Sequence, residues 1–374
     1  MKKHWTITIP LIFIAAALII NGIGWLSPSF CEFYVMHIFP LWVETYGRFT
    51  GLFPFSVGEW MLYLGVLLMV LLVLWGMTAL ILRRRLSGKM KNLFRRYRVL
   101  LLWIFGIVCV IMTLNCFLLY HVPTLKERYG IGAEKEYGFD EIALVRNYVV
   151  EQANQLSEIM TRDEQGYLVY GEDMKAEAVK QMGRLGESFP QLRGYYSNPK
   201  PLYTSDFFSQ QYIMGYYFPF SLEANYNNRM YISNMPASMC HELSHLKGFI
   251  LEDEANFIGY LACVDSEDDF FRYSAYLSVI SYLDRDFYRA SGNNNEIYQS
   301  HPAINDLVRF DRVFLTEQQW QQVEEHAVIS TEIVKEASNT FTETTLTLNG
   351  VSDGKISYSR VVDLLLGYYD GILY

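Results

Sequence analysis

The sequence predicts a membrane protein: three N-terminal transmembrane helices followed by a mainly helical α+β domain with a small sheet. Three observations carry this. The first 122 residues contain three long apolar runs. Charge is split unevenly, with 11 Lys+Arg and 3 Asp+Glu in residues 1–122 against 20 and 37 in residues 123–374. From residue 123 on, apolar residues recur at helical spacing and one stretch carries metal-binding chemistry.

The first run, residues 7–26, is broken only by Thr8, Pro10 and Asn21. A span of bilayer needs roughly 20 apolar residues. A cleaved signal peptide has a shorter apolar core and an Ala-x-Ala-like site, which this run lacks. The second and third runs, residues 60–82 and 99–120, carry no charge. Residues 83–98 between them hold eight basic and no acidic side chains (Arg83, Arg84, Arg85, Lys89, Lys91, Arg95, Arg96, Arg98). The positive-inside rule places that loop in the cytoplasm. The N-terminus is then cytoplasmic too, and residues 123–374 form an extracytoplasmic domain anchored to the cell membrane. The loop 27–58 is aromatic and apolar and is expected at the bilayer interface, where Trp and Tyr are favoured. Pro54 to Glu59 reads as a turn and cap for the second span.

The acidic C-terminal part excludes nucleic acid as a partner, because phosphate binding needs a basic surface. The partners implied are the lipid bilayer and a protein or peptide. Of the five cysteines, Cys240 and Cys263 belong to this part; they could pair in an oxidising compartment, but two buried thiols are the favoured reading. No Cys-x-x-Cys occurs, which argues against a thiolate zinc site.

Helices are expected over 139–160 and 173–185. A strand is expected over 212–218, a loop over 225–228, and an edge strand at Met230-Tyr231-Ile232. Asn234 and Pro236 mark a helix start, and Gly248 its left-handed stop. A second helix runs from Glu252 to about Cys263, and a third from the Ser266–Asp269 cap to about Arg289. Thr316 opens a helix to Ser338 with a capping box. A last helix covers 357–369.

The chemistry lies in Cys240-His241-Glu242-Leu243-Ser244-His245. On a helix, His241 and His245 project from one face and can hold one Zn2+. Glu242 stands beside them as the general base of a zinc hydrolase. A catalytic zinc takes three protein ligands and keeps one position for water. The third ligand is Glu252 or Glu254. Glu252 is preferred, since Asn256 one turn later can orient a ligand histidine. His301, Tyr358 and Arg360 are candidates by residue type for stabilising an oxyanion.

These residues resemble a bacterial membrane family catalogued as domain of unknown function 3810. The resemblance covers nearly the whole chain, including Gly51–Glu59, Phe218-Pro219-Phe220, Glu223-Ala224-Asn225, Cys240–Gly248, Glu252–Phe257 and Ser357–Leu365. It implies a zincin-like ectodomain. Glu252-Asp253-Glu254-Ala255-Asn256 also resembles the Glu-x-Glu-Ala-Asp of membrane gluzincins of the CAAX prenyl protease and HtpX type. There the first Glu binds zinc and the Asp orients a histidine, which implies these roles for Glu252 and Asn256. This sequence has Asn for that Asp, and only six residues between His245 and Glu252. The expected activity is a zinc metalloendopeptidase. The alternative is a zincin-fold binding or sensor protein without turnover.

Overall fold

The computed structural model describes residues 2–81, 86–131, 135–351 and 360–374. The described chain is mostly helical, with one small sheet and three helices long and apolar enough to cross a membrane. These are α1 (Lys2–Leu26), α2 (Val57–Ile81) and α3 (Gly88–Asn115). A 3-10 turn, Phe117–His121, extends the third apolar stretch. α1 lies against α3, where Trp103 Nε1 donates to the Thr6 carbonyl at 2.9 Å and Phe13 meets Trp103 edge-on. α2 touches α3 through the Tyr97 hydroxyl, which donates to the Leu68 carbonyl at 2.5 Å.

Part of the expected basic loop is helical. Ser87 caps α3, its Oγ accepting from Met90 N at 3.3 Å, so residues 88–98 form the first turns of that helix. Leu93, Phe94 and Tyr97 in this stretch sit at helical spacing, and Phe94 and Tyr97 pack on Trp75 of α2. Arg83, Arg84 and Arg85 lie outside the described residues.

The stretch between the first two spans is helical from Pro28 to Gly51, with π-helical turns at Tyr34–Ile38 and Val43–Gly47. Its sequence has two apolar faces. Cys31, Tyr34, Val35, Phe39 and Val43 are buried in the same core as the C-terminal part. Phe33, Leu41, Trp42, Phe49 and Leu52 are exposed. Ser56 then caps α2 as expected, its Oγ accepting from Glu59 N at 3.1 Å.

In the C-terminal part come α4 (Phe139–Ile159), α5 (Met174–Leu185) and three strands. β1 is Lys200–Pro201, β2 Gly215–Phe218 and β3 Glu223–Tyr226. The sheet order is β1-β3-β2, with β1 parallel and β2 antiparallel to β3. Two expectations are corrected here. Asn225 and Tyr226, placed in a loop, belong to β3. Met230-Tyr231-Ile232 forms no strand, because Tyr231 N donates to Phe314 O at 2.8 Å and a 3-10 turn follows at Ile232–Asn234. β2 is the edge strand instead.

Next come α6 (Met235–His245), α7 (Glu252–Val264), α8 (Asp269–Ala290), α9 (Glu317–His326), α10 (Thr331–Leu348) and α11 (Val361–Tyr369). The single helix expected over 316–338 is two. The Thr316 capping box is present, but Gln210 Nε2 donates to Ile329 O at 2.8 Å and holds an extended break at 327–330. The core is built where α6, α7 and α8 meet: Met239, Leu243, Phe257, Ile258, Phe271 and Ile280 are all buried. Cys240 and Cys263 lie within it as free thiols, their sulfurs 3.6 Å apart.

Two buried carboxylates tie the sheet region to α2. Glu223 accepts from Gly58 N at 2.7 Å and Val57 N at 3.2 Å, capping the helix, and pairs with buried Lys200. Glu59 accepts from Tyr203 N at 2.7 Å and Thr204 N at 2.8 Å. Removing one partner of a buried pair strands the other charge, at about 3–5 kcal/mol. Glu223→Ala is therefore expected to destabilise the full chain by about that amount, read as a lower melting temperature in detergent.

Candidate metal centre

Two consecutive helices and the turn between them build the centre. α6 starts at Met235, with Pro236 in its first turn. Asn234 occupies the cap position without capping: its Nδ2 donates to Tyr231 O at 3.2 Å and Val313 O at 2.9 Å. At the other end Gly248 has φ +86°, the left-handed region that glycine enters without strain. Its N–H donates to His245 O at 3.0 Å, and a Cβ there would run into Val35 of the first interspan segment. The chain reverses within six residues and restarts as α7. The first turn of α7 carries Glu252, Asp253 and Glu254, where negative charge suits the helix dipole.

The reversal lays Glu252 on His241, with Oε2 3.1 Å from Nε2. His245 joins them, and the three potential ligand atoms lie within 4.8 Å of one another. Each imidazole is oriented through its other nitrogen. His241 Nδ1 meets Asn256 Oδ1 at 2.9 Å, and His245 Nδ1 meets Phe249 O at 2.6 Å. Both partners accept only, so each Nδ1 carries a proton and each Nε2 is the nitrogen turned toward the cluster.

This donor set fits zinc. Two neutral imidazoles and a carboxylate are the ligands of one catalytic zinc class, with bonds of about 2.0–2.2 Å. Glu242 supplies a second sign of fit. Its side chain is buried, and Oε2 has no hydrogen-bond partner among the described residues. A buried oxygen left alone is costly, and a water in the open position of a metal would satisfy it.

Electrostatics at the centre point the same way. Burial, opposed by His241 and reinforced by Glu252, pushes the Glu242 carboxyl up to about 8. A divalent cation nearby works against that shift and favours the carboxylate. Burial, and then His241, pull His245 down to about 4, so it stays neutral. Burial also pulls His241 down, but Glu252, Glu242 and Asn256 together raise the group overall.

The structure does not gather every candidate. Glu254, the alternative ligand, is buried elsewhere and accepts from Leu125 N at 2.5 Å. Arg360 donates to Asp253 Oδ2 at 3.0 Å and so braces the first turn of α7. His301 packs against Phe139 and Phe287, with Nδ1 2.9 Å from Asn147 Nδ2. Tyr358 lies outside the described residues.

Three residues not singled out from sequence border the centre. A Cβ on Gly215 of β2 would stand 2.5 Å from Glu242 Oε1, so this edge strand forms a wall of the site. Tyr216 on β2 and Tyr120 after α3 both stand within electrostatic range of Glu252. Burial, then Cys116, Glu242 and Glu252, push the Tyr216 phenol up to about 12. With 28 tyrosines in the chain, residue type carried no signal for these two.

The architecture and site define a mainly helical protein with three membrane-length helices and a His–Glu–His helix completed by a second glutamate. The chain belongs to the family described as protein of unknown function DUF3810, whose model matches residues 34–366. No curated protein and no solved structure matches it.

Glu252→Ala is expected to abolish stoichiometric zinc in the purified full chain, while Glu254→Ala keeps it; elemental analysis reads both. Asn256→Ala is expected to weaken zinc about 10–100-fold. Zinc uptake also has a predicted pH dependence. His241 has a raised pKa in the metal-free protein, so its proton competes with the metal as pH falls. Affinity should fall as pH drops through the raised pKa of His241, measured by chelator competition.

Proposed function

We propose that this protein is a membrane-anchored zinc metallopeptidase, cleaving peptide bonds of a protein substrate at the outer face of the cell membrane. The observation that carries the reading is the convergence of His241, His245 and Glu252 beside Glu242 Oε2, which is buried and has no hydrogen-bond partner among the described residues. Buried polar oxygens generally have a partner, and a water held at the metal would be one for this oxygen.

His241, His245 and Glu252 would hold the zinc. When bound it supplies Lewis-acid polarisation of the scissile carbonyl and lowers the pKa of a water ligand. Glu242 would serve as the base that takes a proton from an attacking water and as the acid that returns it to the leaving amine nitrogen. Asn256 and the Phe249 carbonyl keep the imidazoles from turning. β2 offers a free edge on which an extended peptide can hydrogen-bond beside Glu242. This arrangement is read as zincin-like. The basic run 83–98 supports a cytoplasmic loop, and hence an extracytoplasmic centre. The anchor favours membrane and envelope proteins as substrates.

Glu242→Gln separates turnover from binding. The variant is expected to retain zinc and to lose about 10²–10⁴-fold in proteolysis. Cells carrying either form would be compared by mapping new N-termini on membrane and envelope proteins. Cleavage products present only with the wild type bear out the proposal. Identical termini with zinc retained would sink it and leave the non-catalytic binding reading.

A further inference from the structure

α10 is a helix with little beneath it. Only Val334 and Leu346 of its side chains are buried. Both belong to one stripe with Ser338, Thr342 and Thr345, which is the inward face. Around the wheel, at 100° per residue, Ile333, Ala337, Phe341 and Leu348 fall within about 80° of one another. Three of them are largely exposed: Ile333 at 61%, Phe341 at 68% and Leu348 at 73%. Glu332, Glu336 and Glu343 cluster about 120° away. A helix with one apolar flank, one acidic flank and few protein contacts is built for a boundary between oil and water.

Its two ends show which boundary. At the start, Gln210 Nε2 donates to Thr331 Oγ1 at 3.1 Å, and Lys335 Nζ sits 4.2 Å over the Tyr212 ring. Tyr212 lies just before β2, near Met214, whose sulfur accepts from Ser238 of α6 at 3.5 Å. At the other end a Cβ on Gly350 would stand 3.1 Å from Trp25. Trp25 is the penultimate residue of α1, half exposed, with its ring 4.4 Å from that of His121 after α3. The C-terminal end of α10, where Leu348 is exposed, therefore lies beside Trp25 and the exposed apolar surface of the first span. A tryptophan at the outer end of a span marks the level of the lipid headgroups.

We infer that α10 lies on the outer leaflet, with Ile333, Phe341 and Leu348 inserted among the acyl chains and Glu332, Glu336 and Glu343 in water. At about 27 Å long it reaches from the β2 side of the metal centre to the outer end of α1. Docking it fixes that side of the centre against the bilayer. This membrane contact does not depend on what chemistry the centre performs.

Photo-crosslinking in phosphatidylcholine vesicles tests it on the full chain. Benzoyl-phenylalanine replaces Ile333, Phe341, Glu336 or Glu343 singly, with Leu67 on the lipid-exposed face of α2 as the positive control. The expected result is lipid adducts at 333 and 341, at yields approaching the control and at least tenfold above those at 336 and 343. Equal yields on the two flanks, or none at 341 while Leu67 reacts, overturn the inference. Crosslinks from 341 to a second copy of the chain overturn it too, and assign the flank to a protein interface.

Discussion

The contact between Glu252 and His241 depends on one turn. Six residues separate α6 from α7, and the reversal is possible because Gly248 takes a left-handed conformation while its missing side chain leaves room for Val35. With that turn in place, the first carboxylate of α7 lands on the first histidine of α6. Asn256, one helical turn later, then meets the same ring from its other nitrogen. The centre is thus a property of a helical hairpin, which explains how a short spacing still gathers three potential ligands.

The hairpin does not stand alone. Val35 belongs to the segment between the first two spans, and the same segment contributes Phe39 and Val43 to the common core. β2 touches Glu242 at Gly215, and β3 carries Glu223, which caps α2. Tyr217 of β2 also donates to the Asn115 carbonyl at the end of α3. A chain of direct contacts therefore links the spans to the general-base candidate. Buried ionic and polar ties such as Glu223–Lys200 give little net stability, but they are intolerant of losing a partner. They hold the C-terminal part at one position on the spans.

Much of this architecture was readable from local signals. The spans announced themselves by length and lack of charge. The left-handed stop at Gly248 and the capping box at Thr316 followed from cap chemistry, whereas Asn234 stands at the start of α6 without capping it. What failed were elements decided by distant partners. β3 begins at Glu223 because that residue reaches α2. The Met230–Ile232 stretch is diverted by Phe314, and the helix expected over 316–338 is broken by Gln210. In each case a hydrogen bond far away in sequence outweighed a local preference.

By itself the sequence determined the residue types of the centre and their helical spacing, since i and i+4 on one helix need no tertiary help. It also determined which segments suit a bilayer, because that depends on composition and length. The sequence already favoured Glu252 through Asn256, and the tertiary structure gathers Glu252 with the histidines while turning Glu254 toward the backbone of Leu125. Only the tertiary structure placed β2, with Gly215 and Tyr216, against Glu242, and set α10 beside the first span. These are meetings between segments tens to hundreds of residues apart, and packing of the whole core selects them.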